Sequence, residues 1–331
     1  MIFARYRLPY ADTYTEIRYN SDPILLHAYE DLQGKEGFVI APFCISKDSP
    51  LILIPAEGAN ISETACVETR ANRIPEVAIK PVSDSYAKDF SKFHNALANG
   101  DFEKLVLARN YESELTNNNL QDLFNDICQE YPRAMVMLFD TPQSGTWLIA
   151  SPEILIDKEK NTFRTMALAG TMPYKEGLPQ WTEKNKHEQN IVERYIESNI
   201  TPFCNQIIKD GPQTVRAGNL VHLRTDFRFH LKSDASIGEL ISKLHPTPAV
   251  CGLPKAEAND FILKNESIDR KYYSGFAGPL NLNDETHLFV SLRCMNIQGT
   301  RYTAYAGGGI LKESVVEDEW KETELKLIRR V

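Results

Sequence analysis

Residues 134–168 read AMVMLFDTPQSGTWLIASPEILIDKEKNTFRTMAL, and this stretch decides the fold class. Four apolar runs, at 134–140, 146–150, 154–157 and 163–168, follow one another with no helix between them. Each has the length of a strand. Their joints carry Pro142, Gly145 and Glu159-Lys160-Asn161, the residues of tight turns. Strands in direct succession are incompatible with a regular βαβ rhythm, so the reading is α+β with largely antiparallel sheets.

Working upstream, residues 104–109 read as a strand and 120–131 as a helix with Leu120, Leu123, Phe124 and Ile127 on one face. A further helix carries Tyr86, Phe90, Phe93 and Leu97 and stops at Gly100. The first 80 or so residues give short apolar runs such as Phe38-Val39-Ile40, broken by Pro and Gly. Residues 75–83 are the one plausible internal linker, too short to part independent domains. Downstream, a long helix is expected over 182–209, with Ile191, Val192, Tyr195, Ile196 and Ile207 as its stripe. Then come a strand at 220–231, a helix with Ile237, Leu240, Ile241 and Leu244, and strands at 287–295 and 301–306. A closing helix at 316–330 follows Gly307-Gly308-Gly309.

The chain has 331 residues and a net charge of −8, with 42% hydrophobic residues, an ordinary globular composition. No basic block exists to displace counterions from a duplex, so nucleic acid is excluded as a partner. No apolar run reaches the length of a membrane span, and the first residues lack a secretion-type segment. A cytoplasmic location is the expectation. The six cysteines are scattered without zinc spacing and are expected to be reduced. Neither GxGxxG nor a P-loop is present, which leaves nucleotide cofactors without support.

The residues that could carry chemistry are ambiguous when read singly. Glu319, Glu322 and Lys326 share one face of the last helix, as a solvated stripe or as oxygen ligands for a hard cation with an anion-binding lysine beside them. Glu183, Glu188 and Glu193 open the long helix, where an exposed polar end is the plainer reading. Arg293 lies among apolar neighbours and must find a carboxylate or a ligand. The triple glycine reads as a tight turn or as a place of close backbone approach, and Ala169-Gly170-Thr171 could offer backbone N–H groups to an anion. Lys104 and Glu153, taken alone, read as surface residues.

Together the segments resemble the chorismate-utilising enzymes, which include isochorismate, anthranilate, aminodeoxychorismate and salicylate synthases. The resemblance runs from about residue 102 to the C-terminus. It rests on nine motifs in family order: 102–109 (FEKLVLAR), 151–153 (SPE), 167–171 (ALAGT), 183–188 (EKNKHE), 245–252 (HPTPAVCG), 273–275 (YSG), 291–294 (SLRC), 306–310 (AGGGI) and 319–323 (EWKET). It implies one catalytic domain over 1–331, with 1–85 short and divergent and 86–331 the core, built as two packed antiparallel sheets flanked by helices.

By the same resemblance, Glu188 and Glu322 match magnesium carboxylates, with Glu319 beside the metal. Gly170, Thr171, Ala249, Val250, Arg293, Gly307 and Lys326 match positions that contact the substrate, chorismate. The subfamily indicator is Lys104, which isochorismate synthases use to activate water at ring C2, with Glu153 as the acid at the departing C4 hydroxyl. Salicylate synthases share the lysine and add pyruvate loss, and a non-catalytic relative is a third alternative. Asn185 stands where relatives often have aspartate. The expected activity is isochorismate formation for menaquinone or a siderophore. No glutaminase subunit is expected, and the chain is expected to be a monomer or homodimer.

Overall fold

The computed structural model describes residues 2–67, 80–115, 117–174, 176–177, 179–217 and 220–328. The chain opens with β1 (Ile2–Arg7), β2 (Thr13–Tyr19), β3 (Ile24–Leu26), β4 (Gly37–Ala41), β5 (Leu51–Pro55) and β6 (Asn60–Ala65). Helix α1 (Asp84–Ala98) leads to β7 (Lys104–Glu114), and α2 (Leu120–Glu130) to β8 (Met135–Thr141), β9 (Gly145–Ser151), β10 (Ile154–Glu159) and β11 (Thr162–Pro173). Next come α3 (Glu183–Ile200), β12 (Cys204–Ala217), β13 (Leu220–Leu231), α4 (Ile237–Leu244), β14 (Gly252–Leu253) and α5 (Lys255–Asn265). The last elements are β15 (Phe276–Leu280), β16 (Thr286–Val290), β17 (Cys294–Gln298), β18 (Arg301–Ile310) and α6 (Val316–Lys326).

Among the described residues these strands form two nine-stranded antiparallel sheets. The first runs β14-β7-β18-β17-β9-β8-β1-β2-β6, and the second β12-β13-β11-β10-β16-β15-β4-β5-β3. The central strands are apolar on consecutive residues because both of their faces are covered, whereas the edge strand β6 is exposed throughout. In β8, Met135, Met137 and Phe139 enter the core between the sheets with Phe38 and Ile40 of β4. The alternate residues Val136 and Leu138 pack outward against Phe124 and Ile127 of α2. On the second sheet, Val39 and Leu53 face Val192 and Ile196 of α3 and Leu240 of α4. A fourth cluster joins α1, α5 and Trp320 of α6 to Leu105 and Leu107 of β7.

The opening stretch spans both sheets. β9 belongs to the first and β10 to the second, so the chain changes sheet at Ser151-Pro152-Glu153. β16 and β17 change sheet in the opposite sense at Ser291-Leu292-Arg293. Two backbone hydrogen bonds tie these passages together: Val290 N donates to the Glu153 carbonyl at 2.9 Å, and Ala150 N to the Arg293 carbonyl at 3.0 Å.

Two expectations are corrected, one open reading is decided and one helix had not been foreseen. The helix expected over 182–209 ends at Ile200, and Ile207 lies in β12, because Pro202 supplies no N–H and clashes with a continuing helix. Arg293 is not in mid-strand. It sits in the sheet change with φ +47°, a left-handed conformation that interrupts the ladder. The triple glycine forms no turn; it is the end of β18, paired with Val106 to Ala108 of β7. Helix α5 carries no strong apolar stripe, with only Ala258 and Ile262 buried, and the sequence reading passed over it. Most of the 75–83 segment and the last residues of the closing helix lie outside the described residues. The six thiols are free, and four of them are buried.

Candidate active site

The sheet changes, the end of β18 and the start of α3 converge on one cavity. It is lined by Glu153, Gly170, Thr171, Glu188, Ala249, Val250, Arg293, Gly307 and Lys326, together with His222 and Tyr273. Glu153 is 2% exposed, and burial pushes its carboxyl up to about 8, against the opposing pull of Lys104, Lys326 and the Thr247 hydroxyl. At neutral pH it is therefore mostly a neutral acid, able to donate a proton.

Lys104 does not itself line this cavity but stands beside Glu188, which does. Lys104 is wholly buried, contrary to the surface reading of that residue alone. Its Nζ stands 2.9 Å from Oε1 of that carboxylate. The angles fall short of a hydrogen bond, and Nζ is left buried with no hydrogen-bond acceptor. Burial disfavours the Glu188 carboxylate, yet Lys104, Lys326 and Lys184 together hold it below the ordinary range.

The glycines of β18 make room for the charged groups. A Cβ on Gly309 would lie 2.2 Å from Glu188 Oε1 and 2.7 Å from Lys104 Cε. One on Gly308 would lie 3.3 Å from Glu319 Oε2 and 3.4 Å from Glu322 Oε1. Glu188 of α3 and the two carboxylates of α6 thus gather over successive glycines of one strand. Gly309→Ala is expected to force the Lys104–Glu188 pair apart, to cost roughly 1–3 kcal/mol as an overpacked site and to lower turnover; thermal melting beside an activity assay checks both.

Of the α6 stripe, Glu322 and Lys326 are part-exposed and only Glu319 is buried. Glu319 is 1% exposed. Burial and the neighbouring Glu322 charge raise its carboxyl to about 7, while Lys184 opposes them through a direct ion pair. Lys326 Nζ lies 2.6 Å from Glu322 Oε1 and 3.1 Å from the Gly307 carbonyl. Among the described residues no three acidic, His or Cys side chains already stand within reach of one metal ion. Glu188, Glu319 and Glu322 are each held by a lysine. Their oxygens still fit a hard cation by donor chemistry, and the missing Cβ of Gly308 leaves space beside two of them.

Gly170 sits at a β-bulge of β11 with φ +69°, and a Cβ there would meet the Asn185 carbonyl oxygen at 3.2 Å. Asn185 packs over this bulge, and its side chain accepts from Thr182 Oγ1 at 2.7 Å in the N-cap of α3. At Glu183 the plain reading holds, since its carboxylate pairs with Lys186 on the exposed helix face. Glu193 accepts from Thr225 Oγ1 at 2.7 Å.

The descriptive family model "Chorismate binding enzyme" matches residues 57–329. The chain belongs to that family. This chorismate-binding enzyme is 31% identical over 264 residues to isochorismate synthase MenF of Bacillus subtilis, a match covering 74% of this chain and 54% of that protein. It therefore spans about half the length of that relative. The fold superposes on MenF, the menaquinone-specific isochorismate synthase from Escherichia coli, with a TM-score of 0.77 at 21% identity, covering 98% of this chain and 87% of that one. Anthranilate synthase component I from Streptococcus pneumoniae gives a TM-score of 0.71 at 15% identity, covering 96% and 91%. The fold is thus shared by enzymes of different outcome. No helix of the chorismate-binding enzyme, among the described residues, is long and apolar enough to cross a membrane.

Sequence reasoning singled out neither His222 nor Tyr305 of the cavity lining. His222 of β13 is 6% exposed, and burial, Arg293 and Lys326 hold its imidazole well below the ordinary range. Arg293 Nη2 lies 3.4 Å from His222 Nε2, and a guanidinium has only donors, so Nε2 is the acceptor. The ring proton then resides on Nδ1, which lies 3.2 Å from the Gly170 carbonyl and 3.2 Å from Thr171 Oγ1. The signal was a lone histidine in the otherwise apolar run Leu220-Val221-His222-Leu223.

Proposed function

We propose that this protein is an isochorismate synthase, which adds water at ring C2 of chorismate and expels the C4 hydroxyl. The observation that carries the reading is a buried carboxylic acid, Glu153, lining a cavity whose Glu188 stands beside a buried amine, Lys104. A reaction that takes a proton at one ring carbon and gives one at another needs such an opposed pair. Lys104 removes the proton of the attacking water. Glu153, kept neutral by burial, protonates the departing hydroxyl, which leaves as water. Water enters and water departs, so the net change is an isomerisation.

Arg293 and Lys326 supply positive charge to the substrate's carboxylates, and Gly170, Thr171 and Gly307 offer close backbone approach. Ala249 and Val250 form the apolar side of the pocket. Glu188, Glu322 and Glu319 would hold magnesium, which supplies a positive anchor for a substrate carboxylate when bound. The product suits menaquinone or siderophore synthesis.

One incubation tests this reading. Chorismate with the protein and magnesium should give isochorismate and no pyruvate, and chelating the metal should reduce turnover to background. Pyruvate released without an added lyase would make the protein a salicylate synthase instead. Chorismate left intact in the presence of magnesium would end the proposal.

A further inference from the structure

Strand β7 is paired along its length with β18 on one side, but on the other with only the two residues of β14. Gly252 pairs with Leu105 and Leu253 with Lys104, and Val106 N still donates to the Cys251 carbonyl at 2.7 Å. There the segment bearing Ala249 and Val250 departs from β7. The ladder offers nothing to the Val106 carbonyl or the Ala108 N–H on that side. Backbone groups buried without a partner are costly.

An ion pair takes the place of the missing strand. Glu266, at the C-cap of α5, accepts from Ala108 N at 2.7 Å. Arg270 donates through Nη2 to the Val106 carbonyl and through Nη1 to the Val250 carbonyl, each at 2.7 Å. The two side chains meet fork to fork, Nε with Oε2 and Nη2 with Oε1, both at 2.6 Å. They are 3% and 2% exposed, and the guanidinium lies 4.4 Å from the centre of the Phe43 ring. Four of the five N–H donors of Arg270 are thus used, in a geometry that a planar fork supplies and an ammonium does not.

Neither side chain lines the reaction pocket, but Val106 and Val250 do. Lys104 stands two residues before Val106, on the same face of β7. The Arg270 carbonyl accepts from the N–H of Tyr273, a third lining residue, at 2.8 Å. A buried ion pair is weak evidence for stability. One bonded to both sides of a pocket fixes the distance between them.

We propose that Arg270, braced by Glu266, is a positioning residue of the reaction pocket, setting the gap between the Val250 wall and the strand that carries Lys104. The inference rests on the proposed function for what is positioned, and on the hydrogen bonds for what holds it. Misplacing a reacting group by about an ångström costs up to roughly a hundredfold in rate. Arg293 and Lys326, assigned to the substrate's carboxylates, belong to other elements, so the loss falls on the chemical step.

Arg270→Lys tests this, because it keeps the charge opposite Glu266 but cannot reach both carbonyls from a fork. Arg5→Lys is the control, a similar cut in the buried Arg5–Glu16 pair of β1 and β2, outside the pocket lining. Both variants are assayed about ten degrees or more below their melting midpoints, so that neither is unfolded. Arg270→Lys should lose about tenfold to a hundredfold in kcat with KM little changed, while Arg5→Lys keeps both constants. A kcat for Arg270→Lys within about twofold of wild type, or an equal loss in both variants, would overturn the positioning role. If the wild-type protein leaves chorismate intact, the functional reading fails alone, and amide hydrogen exchange reads the positioning instead. Exchange across 104–108 and 249–253 should then be faster in Arg270→Lys than in Arg5→Lys or the wild type. Equal exchange in all three overturns the proposal.

Discussion

Replacing Lys104 by alanine is expected to lower turnover of chorismate by roughly 10²–10⁴-fold, the range a positioned acid–base group supplies. The substitution also removes the ion partner of Glu188 at 2.9 Å. Breaking one side of a buried pair costs roughly 3–5 kcal/mol, so the variant should melt earlier while keeping a native far-ultraviolet spectrum. The pH dependence gives a second readout. In the wild type the Glu188 carboxyl lies below its ordinary value, so its contribution to stability is present above that value and is lost as pH falls through the lowered one. Without Lys104, burial pushes the carboxyl upward and this acid-side dependence should shrink. Chorismate consumption, beside thermal melts from neutral pH down to below the ordinary carboxyl value, checks the result. Wild-type turnover in a folded variant would remove Lys104 from the chemistry.

Glu153→Gln should be comparably severe, because the amide keeps the shape of the side chain but has no proton to release. Wild-type activity should decline on the alkaline side as Glu153 ionises near pH 8. The stability effect has the opposite sign to that of Glu188. A carboxyl raised by burial binds its proton more tightly folded than unfolded, so its contribution is complete below the ordinary carboxyl value. It is lost as pH rises through the window up to about 8. The glutamine variant should therefore lose less stability than wild type across that window. A pH–rate profile with no alkaline limb in the wild type, or a glutamine variant of normal kcat, would contradict the assignment of the acid.

The two variants also differ in where the damage falls. Lys104 belongs to β7, which pairs with the glycine end of β18, so its loss disturbs the Glu188 side of the cavity. Glu153 stands at the passage between sheets, held through its backbone by Val290 N and Ser151 Oγ. Its side chain can be exchanged without touching those bonds.

The sequence by itself determined the antiparallel α+β class, because successive strand-length runs with turn residues between them leave no room for parallel crossovers. It also placed α1, α2 and α4 through their apolar stripes. Motif resemblance named most of the side chains that line the cavity, but residue patterns alone left Lys104 and Glu153 on the surface and Glu319 open between solvent and a cation site. The two surface readings failed for one reason. Burial of a charged side chain depends on what packs over it, and its cover comes from elements far away in the chain: α3 over Lys104, and the paired sheet changes around Glu153. Only tertiary structure decided that the glycines of β18 are a floor for charged groups, that Arg293 turns at a change of sheet, and that His222 stands behind it. Local periodicity reports which face of an element is apolar; it carries no information about which distant charge that face will meet.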